Sequence, residues 1–415
     1  MEQEKEHPTI IIIHASVGSG HRSAAYAIAQ AFEELRGKDG IPNDVELEVL
    51  DCLDFGRWKV DGDATASMFI GATRPIYDIT WRYNFTGHLL WGGGSIWARI
   101  FSPAFTAHVE KVKPIAIVAT HITAANISVG ARMITKQDFP IICVPTDYET
   151  EGFWPHKCAD LFCVATESMA ETLRPRKVSE ERICITGLPT KPDFMKHYDK
   201  EETRTNFDLP HDKKIVLALA GAYLPTPYMH FRKALDDILP YLHTFKNLHM
   251  VFVAGADAEY ARHLRRECEE MQLSNVTVFD YVDNMAALMA ASDVVVCKSG
   301  GLTVTECLCA QVPMILQGRA YGQEKINVRM LTALGAAVHA TTYRELLEQL
   351  RHFSDNPNIL HSLLANAALI RKPDAALQIA RKTMQLVNGE IPIEPDTRKK
   401  HFVRFYWGGK PAHNR

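Results

Sequence analysis

The sequence has no apolar run of about eighteen residues or more, so nothing in it predicts a transmembrane helix. It has no excess of either charge. Its 46 Lys and Arg against 49 Asp and Glu leave a formal net charge of −3, which argues against a protein that coats nucleic acid. Its nine cysteines show none of the paired spacings of a metal site. Cys297, Cys307 and Cys309 fall in apolar segments and read as small core residues, which suits a reducing cytosol. The opening MEQEKEHP is acidic, runs straight into an apolar strand and does not read as a secretory signal. No internal repeat is evident. What is left is globular: 415 residues, 47% hydrophobic and 23% charged, a length for two or three domains.

Short β-rich apolar runs alternate with helical patterns along the whole chain. In the first half they are TIIII, VELEVL (45–50), IAIVAT (115–120), PIICVP (140–145), LFCVA (161–165) and RICITG (182–187). In the second half they are KIVLALAG (214–221), LHMVFVAG (248–255), VTVFDYV (276–282), VVVC (294–297), VPMIL (312–316) and AAVHA (336–340). Strands apolar on both faces belong to parallel sheets covered by helices. Their alternation with helices predicts α/β, doubly wound domains, and two sets of about six fit two domains better than one very wide sheet. The expected division is 1–190, a linker over 191–205 marked by prolines and charge, a second domain over 206–390 and a tail over 391–415.

Two stretches break the pattern. Residues 55–107 hold four of the six tryptophans, Trp58, Trp81, Trp91 and Trp97, mixed with Arg57, Lys59, Arg74, Arg82 and Arg99. The tail RKKHFVRFYWGGKPAHNR (398–415) alternates basic and aromatic residues and contains no acid. Aromatic and basic residues together suit a bilayer interface. The same aromatics also suit packing on the first domain.

HASVGSGHRSAA (14–25) follows the first strand, where open parallel sheets bind ligands. Gly18 and Gly20 allow a close backbone approach, and Ser23 is placed to cap the following helix. A dinucleotide fingerprint needs a third glycine, but Ser23 stands there, and Asp51 is too far along to be the usual ribose acid. His21 reads either as a helix-start hydrogen-bonding group or as a base. Asp147, in PTDYE, reads either as a turn residue or as a second base or orienting group. His121 ends another predicted strand. Asp61-Gly62-Asp63 matches a metal-binding D-x-D string but falls in a loop among aromatics and reads as a solvated turn, so no metal site is expected.

VVVCKSGGLTVTECLCAQVPMIL (294–316) reads as strand, glycine turn, helix and strand. Lys298 ends the strand, Ser299, Gly300 and Gly301 form the turn, and Thr303 is expected to begin the helix. Free amides at such a helix start suit a diphosphate. Glu306 reads either as a ribose-hydroxyl acceptor or as a favourable helix-start charge. Gln323, Glu324 and Asn327 cluster at the next helix start, as groups that could read a sugar.

SVGSGHRSAAYAIAQAF (16–32), THITAAN (120–126), PTDYETEGFWPHKCADLFCVAT (145–166), ITGLPTKPDF (185–194), FDYVDNMAALMAASDVVVCKSGGLTVTE (279–306) and YGQEKINVRML (321–331) together carry a resemblance. The chain resembles glycosyltransferase family 28 enzymes of the GT-B type, above all the monogalactosyldiacylglycerol synthases and processive diacylglycerol glucosyltransferases. That resemblance implies two Rossmann-like domains facing each other across a cleft. It implies a UDP-sugar donor on the second domain, with uracil read near Tyr281 and Val282. Lys298, Ser299, Gly300, Gly301 and Thr303 would face the diphosphate, Glu306 the ribose, and Gln323 and Glu324 the sugar. The first domain would hold a lipid acceptor through Gly18, Gly20 and His121, with His21 and Asp147 as the catalytic pair. The reaction implied is inverting transfer of a hexose, galactose or glucose, to a lipid such as diacylglycerol, giving a β-glycolipid without a metal or other cofactor. The setting implied is cytoplasmic, peripheral on the inner face of an anionic membrane. Two other functions share the architecture: a UDP-sugar 2-epimerase, and a non-catalytic nucleotide-sugar sensor on a membrane. The first would need no lipid-facing surface, and the second could dispense with His21.

Overall fold

The computed structural model describes residues 7–17, 19–56, 98, 100, 102–150, 154–221, 229–320 and 322–398. Gly18, the tryptophans at 58, 81, 91 and 97, the Asp61-Gly62-Asp63 string and residues 399–415 lie outside the described residues. The chain divides into two compact units, Met1–Pro192 with Lys372–Arg415, and Asp193–Arg371.

The first unit is built on six parallel strands: β1 Thr9–His14, β2 Glu46–Asp51, β3 Ala116–Ala119, β4 Ile141–Cys143, β5 Leu161–Val164 and β6 Ile183–Ile185, in the order β2-β1-β3-β4-β5-β6. Every run expected in this half is a strand. Ile10 to Ile13 are wholly buried because β1 lies mid-sheet, with β2 on one side and β3 on the other. β2, ELEVLD, is an edge and is only half-buried beyond the exposed Glu46, so it admits acidic residues that β1 does not. The winding reverses between β1 and β3, so the loops after those two strands diverge and leave a crevice at their carboxyl ends. The loop of His21 follows β1, and Thr120 and His121 follow β3.

The second unit repeats the plan with β7 Lys214–Leu219, β8 Leu248–Val253, β9 Val276–Phe279, β10 Val294–Cys297, β11 Met314–Gln317 and β12 Ala337–Ala340, in the order β12-β11-β10-β7-β8-β9. All are parallel, and all six were expected from the sequence. The reversal here falls between β7 and β10, so the Lys298 loop again leaves a strand at the switch point.

Two boundaries differ from the expected ones. The helix Ala375–Val387, expected in the second domain, packs Ala376, Ile379, Ala380 and Met384 against Ile28 and Phe32 of the helix Ser19–Glu34 and the first sheet. An apolar stripe at helical spacing shows that a face is buried, but not which sheet buries it. The expected linker 191–205 is also shorter. Asp199 caps the helix Lys200–Asn206, its side chain accepting from Glu202 N at 2.8 Å. From that helix the buried Arg204 reaches Asp293 Oδ2 at 2.7 Å, and the same carboxylate oxygen accepts from Ile215 N at 2.6 Å, which ties the segment to the second sheet.

The end of the described chain is anchored as well. Thr397 Oγ1 donates to Asp160 Oδ1 at 2.7 Å, and Arg132 Nη1 lies 2.6 Å from Asp160 Oδ2. Asp160 stands just before β5, so Thr397 is fixed at the amino end of the first sheet, the end opposite His21. No helix among the described residues is long and apolar enough to cross a membrane.

Candidate active site

In the first unit the helix after β1 begins at Ser19, not after Ser23. Ser23 therefore lies one turn inside it and cannot be its cap. The same shift puts Gly20 and His21 in the first turn, where the His21 side chain crosses to the ends of β3 and β4. Its Nδ1 lies 3.0 Å from the carbonyl oxygen of Thr120 and 2.8 Å from Thr146 Oγ1. Thr120 Oγ1 donates in turn to the His21 carbonyl at 2.9 Å. A carbonyl can only accept, so Nδ1 carries the proton and Nε2 keeps its lone pair. Burial pushes the imidazole below its ordinary range, while the charge of Asp147 and the Thr120 carbonyl partly oppose that push. At neutral pH His21 is therefore an uncharged base with a fixed tautomer.

Asp147 follows β4 in a half-exposed turn and acts on His21 through its charge. A carboxylate there stabilises the imidazolium that forms when Nε2 takes a proton. His121 caps the helix Ile122–Thr135, its Nδ1 accepting from Thr123 N at 3.1 Å, and its ring stands edge-on to His21 with centroids 4.6 Å apart. Burial holds His121 well below the ordinary histidine range, helped by His21 and His14. A third histidine, His14, joins them, and no motif in the sequence marks it. It ends β1, is 4% exposed, and its Nδ1 has no hydrogen-bond partner among the described residues. Burial lowers its basicity too, against the pull of Asp51. The only sequence signal was its place as the last residue of a buried run, seven before His21. Each of these rings makes a positive charge on its neighbours costlier, so the cluster favours neutral imidazoles.

In the second unit Lys298 and Ser299 leave β10, and Gly300 stands at the N-cap of the helix Gly301–Cys309. The helix starts two residues before the expected Thr303, which sits in its first turn. A glycine cap has no side chain to satisfy the first amides, which leaves that end suited to an anion. Glu306 lies half-buried one turn further in. Lys298 Nζ is 2.8 Å from Glu324 Oε1, so the expected diphosphate and sugar contacts are paired with each other. Glu324 is 6% exposed, and its Oε2 is buried without a partner among the described residues. Gln323 is the N-cap of the helix Glu324–Ala333, its side chain making no capping bond. Asn327, grouped with the sugar readers in the sequence, is wholly buried and donates from Nδ2 to the Ser299 carbonyl at 2.8 Å. It holds the glycine loop in place. Tyr281, after β9, is 64% exposed, and Val282 beside it is half-buried.

The loop leading to Gln323 has two further anchors that the sequence did not suggest. Gly318 has φ +91°, and a Cβ there would come within 2.7 Å of His230 Nε2, the atom that accepts from Arg319 N at 3.0 Å. On the other side His339 Nε2 donates to the Gly318 carbonyl at 2.8 Å. Among the described residues no group of three or more His, Cys, Asp or Glu is placed to hold a metal ion.

Two doubly wound parallel domains, one with a neutral histidine at its switch point and the other with a glycine-capped helix at its own, are the architecture of the GT-B fold. Residues 21–190 match the family model described as monogalactosyldiacylglycerol (MGDG) synthase, and residues 230–379 match the glycosyltransferase family 28 C-terminal domain. The chain is thus a glycosyltransferase similar in its two halves to these families.

Among curated proteins, it is 25% identical over 384 residues to a processive diacylglycerol beta-glucosyltransferase of Bacillus cytotoxicus, covering 90% of this chain and 92% of that one. A protein of the same name from Bacillus licheniformis is 24% identical over 364 residues, covering 86% of this chain and 89% of the other. Among solved structures, Acinetobacter baumannii MurG superposes with a TM-score of 0.55 at 15% identity, over 92% of this chain and 99% of its own. The UDP-GlcNAc 2-epimerase of Neisseria meningitidis, bound to UDP-GlcNAc, gives 0.57 at 11% identity, over 91% and 100%. At such identities these structures speak for the fold alone.

Proposed function

We propose that this chain is an inverting glucosyltransferase that moves glucose from UDP-glucose to diacylglycerol at a membrane surface, forming a β-glycolipid. The observation that carries the reading is the tautomer of His21. Its Nδ1 proton is committed to the Thr120 carbonyl, its ring is neutral, and Nε2 is left to accept a proton. A hydroxyl is a weak nucleophile unless a base takes its proton as attack proceeds. In the step proposed, the acceptor oxygen bonds to the anomeric carbon as its proton passes to His21 Nε2. The bond from that carbon to the diphosphate oxygen breaks, and its electron pair leaves with UDP. Attack opposite the leaving group turns an α-linked donor into a β-glycoside.

Asp147 would stabilise the imidazolium. The amides at the Gly301 helix start, with Lys298, would take up the charge on the departing diphosphate. Glu306 would accept from the ribose, Gln323 and Glu324 would hold the sugar, and Tyr281 and Val282 would flank the base. On the acceptor side Gly18, Gly20 and His121 would border the lipid head. Glucose rather than galactose, and diacylglycerol rather than another lipid, are supported by the names of the curated relatives. Peripheral attachment to an anionic cytoplasmic membrane face is supported by the basic aromatic sequence after Thr397.

The test is incubation with labelled UDP-glucose or UDP-galactose, with and without diacylglycerol vesicles. Label should enter lipid from UDP-glucose, and only with vesicles. Conversion of a UDP-sugar to its 2-epimer without any acceptor would establish the epimerase reading instead.

A further inference from the structure

The Lys298–Glu324 pair lies across the mouth of the glycine loop. A Cβ built on Gly300 would be 3.5 Å from Lys298 Nζ and 3.8 Å from Glu324 Oε1, so both charged groups flank the N-cap of the helix Gly301–Cys309. A cation at a helix N-terminus is opposed by the helix dipole. Here Glu324 offsets that opposition. The carboxylate is itself incompletely served: Oε1 has the ammonium, while the buried Oε2 has no partner among the described residues. A buried acceptor left unsatisfied destabilises the state that contains it. The unliganded arrangement thus holds two groups that a ligand would serve better, an ammonium suited to an anion and a carboxylate oxygen suited to a hydroxyl.

We propose that Lys298 and Glu324 form a latch that donor binding exchanges. The diphosphate takes over the ammonium, and the carboxylate so released turns both oxygens to hydroxyls of the donor sugar. The inference rests on the nucleotide-sugar reading of this loop. It adds that the two halves of the donor are recognised in a coupled way. UDP alone must draw Lys298 from Glu324 and leaves the carboxylate without a partner. UDP-glucose does the same but supplies hydroxyls in exchange. The latch therefore works against the product UDP and in favour of the intact donor, which aids release after transfer.

Calorimetric titration of the full chain with UDP and with UDP-glucose tests this. Glu324→Gln removes the charge that competes for Lys298. It should bind UDP about threefold to tenfold more tightly than the unaltered chain, the net scale of one ordinary hydrogen bond. At the same time it should lose most of the preference for UDP-glucose over UDP. Glu324→Asp, which keeps the charge but withdraws it from the ammonium, should shift UDP in the same direction and covers the case in which the Glu324→Gln variant does not fold. Lys298→Met should weaken UDP binding, and the loss it causes should be larger when measured against the Glu324→Gln variant, in which no carboxylate competes for the lysine. Unchanged or weaker UDP binding by a Glu324 variant that melts with the unaltered chain overturns the latch while leaving the donor reading intact. Failure of the unaltered chain to bind UDP at all refutes the donor reading, and the latch with it.

Discussion

Replacing His21 by asparagine separates what the ring does for the fold from what it does for the reaction. The ring has two ends. Nδ1 donates to the carbonyl of Thr120, a residue with no exposed surface, and Nε2 is the proposed proton acceptor. An asparagine amide reaches about as far as Nδ1 and can donate to the same carbonyl. It has nothing at the Nε2 position and cannot take a proton. His21→Asn should therefore melt close to the unaltered chain, while kcat falls by about 10²–10⁴, the range for losing a general base. That loss corresponds to about 3–5 kcal/mol in the barrier. His21→Ala should lose the same activity and also leave the buried Thr120 carbonyl without this donor, at about 1–3 kcal/mol of stability. UDP affinity should not move in either variant, because the donor loop is in the other unit. The assay is label transfer from UDP-glucose to vesicle-borne diacylglycerol, with thermal melts and UDP titration run in parallel. Near-normal turnover in the asparagine variant would refute the reasoning and pass the role of base to Asp147. If His21 is the base, Asp147→Asn should instead retain partial activity, with the acid limb of kcat/KM moved to lower pH by loss of the charge that raises the His21 pKa.

Three further expectations concern pH, metal and tail. His14, His21, His121 and His249 are all less basic folded than free, His249 at about 4, so the unfolded chain binds more protons than the folded chain just below pH 6.5. Their contribution is fully present above 6.5 and is lost as pH falls through the depressed values; a urea midpoint flat between about pH 7 and about pH 4.5 would contradict it. Transfer should persist in excess EDTA, with Lys298 and the helix amides serving the leaving group, and loss of turnover restored by magnesium or manganese would overturn that assignment. Ending the chain after Thr397 keeps its bond to Asp160 and should leave the melting temperature and UDP affinity unchanged, while binding to anionic vesicles falls and becomes less salt-dependent. Equal vesicle binding by both forms would remove the tail from the membrane contact.

All twelve strands are legible in the sequence: the inner ones are apolar throughout because both faces are buried, and the edge strands still show as short β-rich runs between helical patterns. The sequence also placed both candidate loops at strand ends, since glycines and polar residues directly after buried strands mark the carboxyl ends of a parallel sheet. The pairing of distant residues was decided only by tertiary structure. Nothing local says that the stripe Ala376, Ile379, Ala380 and Met384 covers the first sheet rather than the second, because either sheet offers an apolar face. Nothing local separates Asn327, which holds the Ser299 carbonyl, from Glu324 nearby, which faces the loop; burial and direction distinguish them, and both depend on how β10 and β11 lie side by side. The three histidines at 14, 21 and 121 converge because β1 and β3 are neighbours across about a hundred residues of intervening chain. The tautomer of His21 comes from one carbonyl at the end of β3, a contact between positions 99 residues apart.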